Sequence, residues 1–316
     1  MKIITHEDIV NLNISPKNCL DWINEILLKK EETTLPPKIS LKPIDKSFCN
    51  VMPALLPKNN TYGGVKIVTR FPNKIPSLDS KIMLFNQQTG EISALIDANW
   101  ITSMRTGAVA AHSANLLSLK NYSDVGLIGL GNTARATVLC LSELIKDRKI
   151  TFKLLKYKEQ EILFKERFKE IKNFEFKFVD TYKDTIKDSD LIISSATYFE
   201  DDITDDNDLF KKGVTLIPIH TRGFSNCDLF FDKVFADDKG HVCKFKYFDK
   251  FKQFAEISDI LTNKTKGRET EKERILVYNI GIAIHDIYFA SKIYEMLETK
   301  KLKELSFNEP NEKFYI

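Results

Sequence analysis

Residues 124–134 read Asp-Val-Gly-Leu-Ile-Gly-Leu-Gly-Asn-Thr-Ala, and this stretch decides the fold of the second half of the chain. A short apolar strand, Val125–Ile128, leads into a G-x-G-x-x-A pattern that then opens a helix. Here Gly129 permits a tight turn, Gly131 lets the backbone approach a pyrophosphate, and Ala134 allows the helix to pack closely on the strand. A helix N-terminus also attracts anions. The stretch predicts dinucleotide binding; the alternative is a glycine-rich turn without a ligand.

From about residue 101 onward, predicted strands alternate with predicted helices. The strands are predicted at 124–130, 150–155, 191–195, 214–219, 233–236 and 275–278, and the main helices at 102–119, 134–146 and 282–297. This alternation is typical of a parallel, doubly wound sheet with helices on both faces. The predicted fold class is therefore α/β, with a Rossmann-type domain.

The first hundred residues follow a different pattern. Ser15-Pro16 precedes a predicted amphipathic helix at 18–30, and strand candidates lie at 64–71, 81–86 and 92–96. The last two strands are joined by a turn at 86–90 and form a plausible hairpin. These segments predict a mostly antiparallel sheet, and hence an α+β domain beside the Rossmann-type one.

Composition excludes several classes of protein. The 316 residues include 47 Lys+Arg and 44 Asp+Glu, a net charge of +3, so nucleic-acid binding gains no support. No apolar run approaches the roughly 18–20 residues of a membrane-spanning helix, and the N-terminus lacks the pattern of a signal peptide. The five cysteines are widely spaced and the five histidines show no metal-binding spacing. We expect a cytoplasmic protein without a bound metal, a disulfide framework or a membrane partner.

The residues after the second predicted strand of the Rossmann-type domain bear on the choice of dinucleotide. An acidic residue there would accept the ribose 2′-hydroxyl of NAD. The chain instead reads Leu155-Lys156-Tyr157-Lys158. Two cations would attract the 2′-phosphate of NADP, so Lys156 favours NADP(H) slightly over NAD(H). The alternative is a solvated basic loop.

Arg105 is a candidate anion-binding residue. It lies in Thr102–Ala108, and if Thr102 or Ser103 caps the helix, the arginine falls in its first turn. A cation is unfavourable there for the helix dipole, whereas arginine and a helix N-terminus together attract a carboxylate or phosphate. The alternative is an arginine that extends to solvent.

Lys66 is a second candidate, within the predicted strand at 64–71. The two-residue period of a strand puts Lys66, Val68 and Arg70 on one face. A desolvated lysine is suited to proton transfer. The alternative, which the pattern alone favours, is that Lys66 lies on the solvent-facing side of a half-buried strand.

Taken together, six ordered segments resemble motifs of the ornithine cyclodeaminase/μ-crystallin family. They are Met52-Pro53-Ala54, Gly64-Val65-Lys66 with Pro72-Asn73, Thr102–Ala108 (TSMRTGA), Gly129–Ala134, Asp190–Thr197 (DLIISSAT) and Asn279–Asp286 (NIGIAIHD). The resemblance covers nearly the whole chain.

The resemblance implies a two-domain homodimer that transfers hydride between NAD(P)(H) and the α-carbon of an amino or imino acid. Residues 1–116 and 280–316 would form the substrate-binding and dimerisation domain, and residues 117–279 the Rossmann domain. Two other functions stay open: an ornithine cyclodeaminase that makes proline and ammonia, and a non-catalytic NADPH-dependent binding protein.

Carried over position by position, the resemblance implies roles for particular residues. Arg105 would contact the substrate carboxylate and the nicotinamide side, and Lys66 would bind substrate and serve in proton transfer. The remaining residues implied for substrate are Lys38 and Met52. Those implied for the cofactor are Ser77, Arg105, Thr106, Gly129, Gly131, Asn132, Thr133, Ala134, Thr197, Asn279 and Ile280, to which the cations after the second strand add Lys156.

Some positions depart from the cyclodeaminase pattern. Lys38 stands where that enzyme has an arginine, which keeps the charge but loses the bidentate fork. Arg222 falls on the catalytic aspartate of the cyclodeaminase and Asn226 on its lysine. An arginine at 222 would repel the side-chain amine of ornithine and attract a carboxylate. We therefore expect Arg222 to act at the catalytic site on an anionic amino or imino acid.

Overall fold

The computed structural model describes residues 1–316 except 197, 198, 200, 220–222, 299, 308–311, 315 and 316. The described residues form two β-sheets and the helices that pack on them. The first sheet consists of β1 (Lys2–Ile4), β2 (Ile39–Leu41), β3 (Phe48–Leu55), β4 (Tyr62–Arg70), β5 (Leu78–Asn86), β6 (Ile92–Asp97) and β15 (Lys303–Glu304). The second consists of β7 (Asp124–Ile128), β8 (Ile150–Leu155), β9 (Phe174–Val179), β10 (Leu191–Ser194), β11 (Thr215–Pro218), β12 (Lys233–Ala236), β13 (Phe254–Glu256) and β14 (Ile275–Tyr278). The helices are α1 (His6–Val10), α2 (Pro16–Leu28), α3 (Asn99–Leu117), α4 (Asn132–Leu144), α5 (Gln160–Arg167), α6 (Tyr182–Ile186), α7 (Lys239–Val242), α8 (Ile257–Leu261) and α9 (Ala283–Leu297).

The second sheet confirms the predicted doubly wound α/β fold. Its strands pair in parallel in the order β13-β12-β14-β11-β10-β7-β8-β9. From β7 the chain first builds outward through β8 and β9 and then in the other direction through β10 and β11. The strand order therefore reverses between β7 and β10. In open α/β sheets, ligands bind in the crevice outside the carboxyl ends of the strands at such a point.

The first sheet is mostly antiparallel, in the order β15-β1-β6-β5-β4-β3-β2, with β1 and β6 as a parallel pair. One face is covered by α9, which packs on β3, β4 and β5. Lys66 pairs with Met52 and Ile82 across this covered face and is fully buried. The interpretation of Lys66 as a solvent-facing residue is therefore wrong. Its neighbour Ile67 points to the other face and is 46% exposed.

The opposite face of this sheet, which we call the outer face, is apolar although, within the described part of the chain, several of its side chains are exposed. Its members alternate with the buried residues, as the strand period requires. They are Ile39, Val51, Pro53, Val65, Ile67, Met83 and Leu95, which the strand register aligns in two adjacent rows. Four of these side chains are exposed to solvent: Ile39, Ile67, Met83 and Leu95. Contiguous exposed apolar surface of this kind is typical of an interface.

One predicted element begins elsewhere in the structure, and one strand was not predicted. The helix expected from Thr102 begins at Asn99, whose side-chain oxygen accepts a hydrogen bond from the Ser80 backbone N–H at 2.9 Å. Arg105 consequently lies in the second turn of α3, so the expected pairing of this arginine with a helix N-terminus is wrong. Strand β3 was not predicted, because it contains Pro53. In the structure Pro53 pairs with Val65 beyond the end of β2, where the ladder does not need its N–H.

Helix α3 connects the two sheets and packs closely on α4. The close approach requires Gly107, because a Cβ at that position would lie 2.5 Å from backbone atoms of Ala136 and Thr137. Among the helices the structure describes, none has the length and apolarity needed to cross a bilayer. The division of the chain at 116/117 and 279/280 stays a prediction. The strands of the first sheet, β1–β6 and β15, lie within 1–116 and 280–316, and those of the second, β7–β14, lie within 117–279.

Candidate active site

A cavity of about 800 Å³ lies between the covered face of the first sheet and the carboxyl ends of β7, β10, β11 and β14. It therefore coincides with the crevice where the strand order of the second sheet reverses. The predicted site residues that line it are Lys38, Met52, Lys66, Arg105, Thr106, Thr133, Asn279 and Ile280. Both halves of the chain contribute, so residues predicted to bind substrate and residues predicted to bind cofactor share one space.

The glycine-rich turn borders this cavity on the side of the second sheet. Gly129 has a φ of +81°, and a Cβ there would lie 2.6 Å from the backbone nitrogen of Ala196. Gly131 is the N-cap of α4 and offers no side-chain cap, while a Cβ on it would meet no atom within 4 Å. The first N–H groups of α4, including those of Asn132 and Thr133, thus face open space. This arrangement fits a pyrophosphate.

The side of the cavity next to the first sheet is organised by one buried carboxylate. Asp286 Oδ1 accepts a hydrogen bond from Lys66 Nζ at 2.7 Å and another from Arg105 Nε at 2.9 Å. Asp286 and Lys66 are fully buried and Arg105 is 6% exposed. We call these three residues the cation–carboxylate cluster. Two cations share a single anion, so the cluster retains a net positive charge that suits an anionic ligand.

Burial lowers the pKa of Lys66 to about 8. The carboxylate of Asp286 acts in the opposite direction and raises this pKa, whereas the guanidinium of Arg105 lowers it further. A lysine in this range holds its proton at neutral pH and releases it in mild alkali. Lys66 is therefore suited to donating or accepting a proton within the cavity.

The guanidinium of Arg105 packs against the segment between β14 and α9. Gly281 has a φ of +80°, and a Cβ there would lie 2.8 Å from Arg105 Nη1. The segment is fixed by buried Asp237, which accepts hydrogen bonds from Asn279 Nδ2 at 2.8 Å and from the Gly281 N–H at 3.1 Å. Burial raises the pKa of Asp237, although these two donors oppose the shift. With Nε bound to Asp286, the terminal nitrogens of Arg105 lie beside Gly281.

Lys38 is a third cation close to the cation–carboxylate cluster. Its Nζ donates to the carbonyl oxygen of Ile280 at 3.0 Å, and burial followed by the charge of Arg105 lowers its pKa. Its backbone N–H donates to His241 Nε2 at 3.3 Å, while His241 Nδ1 lies 2.7 Å from Asp238 Oδ2. Because Nε2 accepts, the histidine proton is assigned to Nδ1. Asp238 and His241 thus position Lys38 across the cleft.

Other predicted site residues lie beside the cavity or away from it. Ser77 precedes β5 and its carbonyl oxygen accepts a hydrogen bond from the Phe71 backbone. Lys156 follows β8 and is exposed, with its Nζ 2.8 Å from Asp180 Oδ1. Ala134 is fully buried beneath the first turn of α4. Thr197 and Arg222 lie outside the described residues, so their predicted roles stay predictions.

Sequence reasoning missed Asp286, Asp237 and His241. For Asp286 the available signal was an aspartate inside the apolar run of α9. Asp237 follows the strand β12, at the carboxyl-end edge where sites form in parallel sheets. Nothing in the pattern around His241 marks it as a neighbour of Lys38, because the contact joins segments 203 residues apart.

Comparisons with known proteins agree with this arrangement. A family model described as the ornithine cyclodeaminase/mu-crystallin family matches residues 2–301. The nodulation efficiency protein NfeD of Rhizobium meliloti is 25% identical over 315 residues, which cover 93% of this chain and 95% of that protein. A Δ(1)-pyrroline-2-carboxylate reductase of Colwellia psychrerythraea is 36% identical over 140 residues, 42% of this chain and 44% of that one. The solved structure of Thermococcus litoralis Δ(1)-pyrroline-2-carboxylate reductase, in complex with NADH and L-proline, has a TM-score of 0.85 at 23% identity, covering 96% of this chain and 100% of that chain.

The cation–carboxylate cluster predicts a pH-dependent loss of stability in Asp286→Asn. At pH 7 the variant removes the counter-charge of Arg105 and Lys66, so that Arg105 stays unpaired and Lys66 must either stay unpaired or give up its proton. We therefore expect the free energy of unfolding to fall by about 3–5 kcal/mol. The loss should shrink above pH 8, because a neutral Lys66 needs no partner. Urea denaturation at both pH values measures this. Asp21→Asn, which removes the exposed partner of Lys17, is the matched control and should change little. An Asp286→Asn protein as stable as this control at pH 7 would contradict the counter-ion role.

Proposed function

The chain belongs to the ornithine cyclodeaminase/mu-crystallin family, and from this premise we propose that it is an NAD(P)(H)-dependent oxidoreductase acting on an amino or imino acid. Hydride would pass between the nicotinamide and the α-carbon of the substrate. The observation that carries the proposal is the meeting, in one cavity, of the cation–carboxylate cluster with the uncapped N-terminus of α4. Relatives that are reductases of a cyclic imino acid support it.

The residues present fit a dinucleotide. Gly131 leaves open space above the first turn of α4, and the N–H groups of Asn132 and Thr133 would hold the phosphates. Thr106, Asn279 and Ile280 line the cavity where the turn meets the cation–carboxylate cluster. When bound, the dinucleotide supplies or accepts the hydride. The chain itself contributes orientation, charge and proton transfer.

Arg105 and Lys38 would hold the substrate carboxylate. The guanidinium nitrogens not bound to Asp286 offer a fork that matches a carboxylate, and Lys38 adds charge from the opposite side. Lys66 would give a proton to the substrate nitrogen during imine reduction and take one during amine oxidation. In the direction of reduction, the imine takes up a hydride from the reduced cofactor and a proton from Lys66. The products are the amine and the oxidised cofactor. Because its carboxylate is held in place, the substrate would present its α-carbon to the nicotinamide.

We keep two finer proposals from the sequence. Lys156 makes NADP(H) the favoured cofactor, although Asp180 already neutralises part of its charge. Arg222 makes an anionic substrate the favoured class. Lys38 and Arg105 support an anionic ligand independently of Arg222, because cations already surround the cavity. An ornithine cyclodeaminase would instead need an acidic group for the substrate's second amine.

Oxidation of NADPH and NADH with a panel of cyclic imines and of 2-oxo acids with amines tests the proposal. We expect turnover by the wild type and loss of cofactor binding in Gly131→Asp, because the new carboxylate repels the phosphates without steric conflict. Gln88→Glu, in the exposed turn after β5, controls for added negative charge. Tight NADPH binding without any turnover would favour a binding protein, and proline formed from ornithine with catalytic NAD would favour the cyclodeaminase.

The rate of imine reduction should fall as the pH rises through about 8. Below that value Lys66 is protonated and can donate; above it the donor is lost, so kcat/KM should drop by up to tenfold per pH unit. Amine oxidation should show the reverse trend. In Asp286→Asn the decrease in kcat/KM should begin at lower pH, because the carboxylate of Asp286 raises the pKa of Lys66 in the wild type. If Lys66→Met showed the same decrease in kcat/KM near pH 8, the proton donor would be another group.

We propose that the chain forms a homodimer in which the outer face of the first sheet is covered by a second copy. The exposed apolar residues on that face support this. Sedimentation of the wild type should give twice the 36.4 kDa of one chain. Met83→Glu, between Val65 and Leu95, should shift the protein towards the monomer. Met296→Glu, at a similarly exposed site on α9, should not. A monomeric wild type would contradict the proposal.

A further inference from the structure

The covered face of β4 carries a second cation besides Lys66. Arg70 lies four residues further along the strand and therefore on the same face, about 13 Å away at the rise of a β-strand. Val68 lies between them and is 6% exposed. Arg70 and Lys66 line the same cavity, but Arg70 lies at the end remote from the cation–carboxylate cluster.

The guanidinium of Arg70 has no carboxylate partner among the described residues. One terminal nitrogen, Nη1, donates to the carbonyl oxygen of Lys46 at 2.5 Å. Its Nε is shielded from solvent and has no hydrogen-bond partner. Arg105, by contrast, is bound to Asp286. An arginine held by a neutral carbonyl at the rim of a cavity retains its charge and a fork of donors for an anion.

The surroundings of Arg70 favour a ligand that is apolar in its middle and anionic at its end. Phe48 pairs with Arg70 across the strands, and Leu78 lies on its other side in the register. Both line the cavity with Val68. The cations that line the cavity are Lys38, Lys42, Lys46, Lys66, Arg70 and Arg105. Of the carboxylates in the described part of the chain, Asp45 lines it. The balance of charge is therefore positive at both ends.

We infer that the substrate is dicarboxylic and that Arg70 binds its distal carboxylate. The α-carboxylate would lie against Arg105 and Lys38, the methylene groups against Val68 and Phe48, and the second carboxylate against Arg70. This inference rests on the proposed function, since it assigns the substrate class of that reaction. Arg70 would act as a specificity residue: it is remote from the reacting carbon and contributes no proton or hydride. It also accounts for an anionic substrate without invoking Arg222.

The test compares two 2-oxo acids of equal chain length, 2-oxoglutarate and 2-oxopentanoate, each with methylamine and NADPH or NADH. The first has a distal carboxylate where the second has a methyl group. We expect the wild type to favour 2-oxoglutarate in kcat/KM, and Arg70→Met to reduce that ratio by about 10- to 100-fold, because a site built for a polar group discriminates strongly. Arg70→Lys should give an intermediate ratio, since it keeps the charge and loses the fork. Lys149→Met, an exposed lysine beside β8, should keep the wild-type ratio.

A binding measurement separates this inference from the proposed function. Calorimetry of L-glutamate and L-norvaline with NADPH present requires no turnover. Tighter binding of L-glutamate that is lost in Arg70→Met supports the distal site even if no 2-oxo acid is reduced, in which case only the oxidoreductase proposal fails. Equal binding or equal kcat/KM for the paired ligands in the wild type, or an unchanged ratio in a folded Arg70→Met, overturns the inference. If Arg70 had a purely structural role, Arg70→Met would weaken the binding of L-glutamate and of L-norvaline equally, and the inference would be wrong.

Discussion

The carboxylate of Asp286 holds two cations in a space from which water is excluded. Lys66 and Arg105 come from a strand and a helix of the first sheet's half, and Asp286 comes from the helix that follows the last strand of the second. The residues are separated by 220 and 181 positions along the chain. Neither cation would be stable at its depth without this partner, because burying an unpaired charge is costly. The position of α9 against β4 is therefore fixed by chemistry as well as by apolar packing.

Around this cluster, close backbone approaches set the width of the cleft. Gly107 lets α3 press against the backbone of α4, Gly129 lets β7 meet the chain after β10, and Gly281 leaves room for Arg105. A methyl group at any of the three would collide with its neighbour at less than 3 Å. Lys30, from the first half of the chain, forms ion pairs with Asp238 and Glu256 of the second half. The two halves thus hold the cavity in a defined shape rather than enclosing it loosely.

The sequence was sufficient for much of the fold because its signals there are local. The stretch at 124–134 identifies its own strand, turn and helix. The family that the ordered motifs indicated is confirmed by the family model that matches residues 2–301. The buried side of β4 was not predictable, because Val65 and Ile67 look like the residues a strand would bury. Their apolar character belongs to the outer face instead. Asp286 and Arg70 were missed as site residues because their importance depends on partners, or on the lack of one, far along the chain.

Strand β1 lies between β6 and β15, so the two ends of the described chain belong to one sheet. The second sheet, in contrast, is complete once β14 has formed at Tyr278. During synthesis on a ribosome, the half that contains the second sheet therefore has all its strands before α9 and β15 have emerged. The other half must wait for them, with Lys66 and Arg105 lacking the carboxylate that neutralises them. The cation–carboxylate cluster can therefore form only after the chain has been synthesised as far as α9, which makes it a late step in folding.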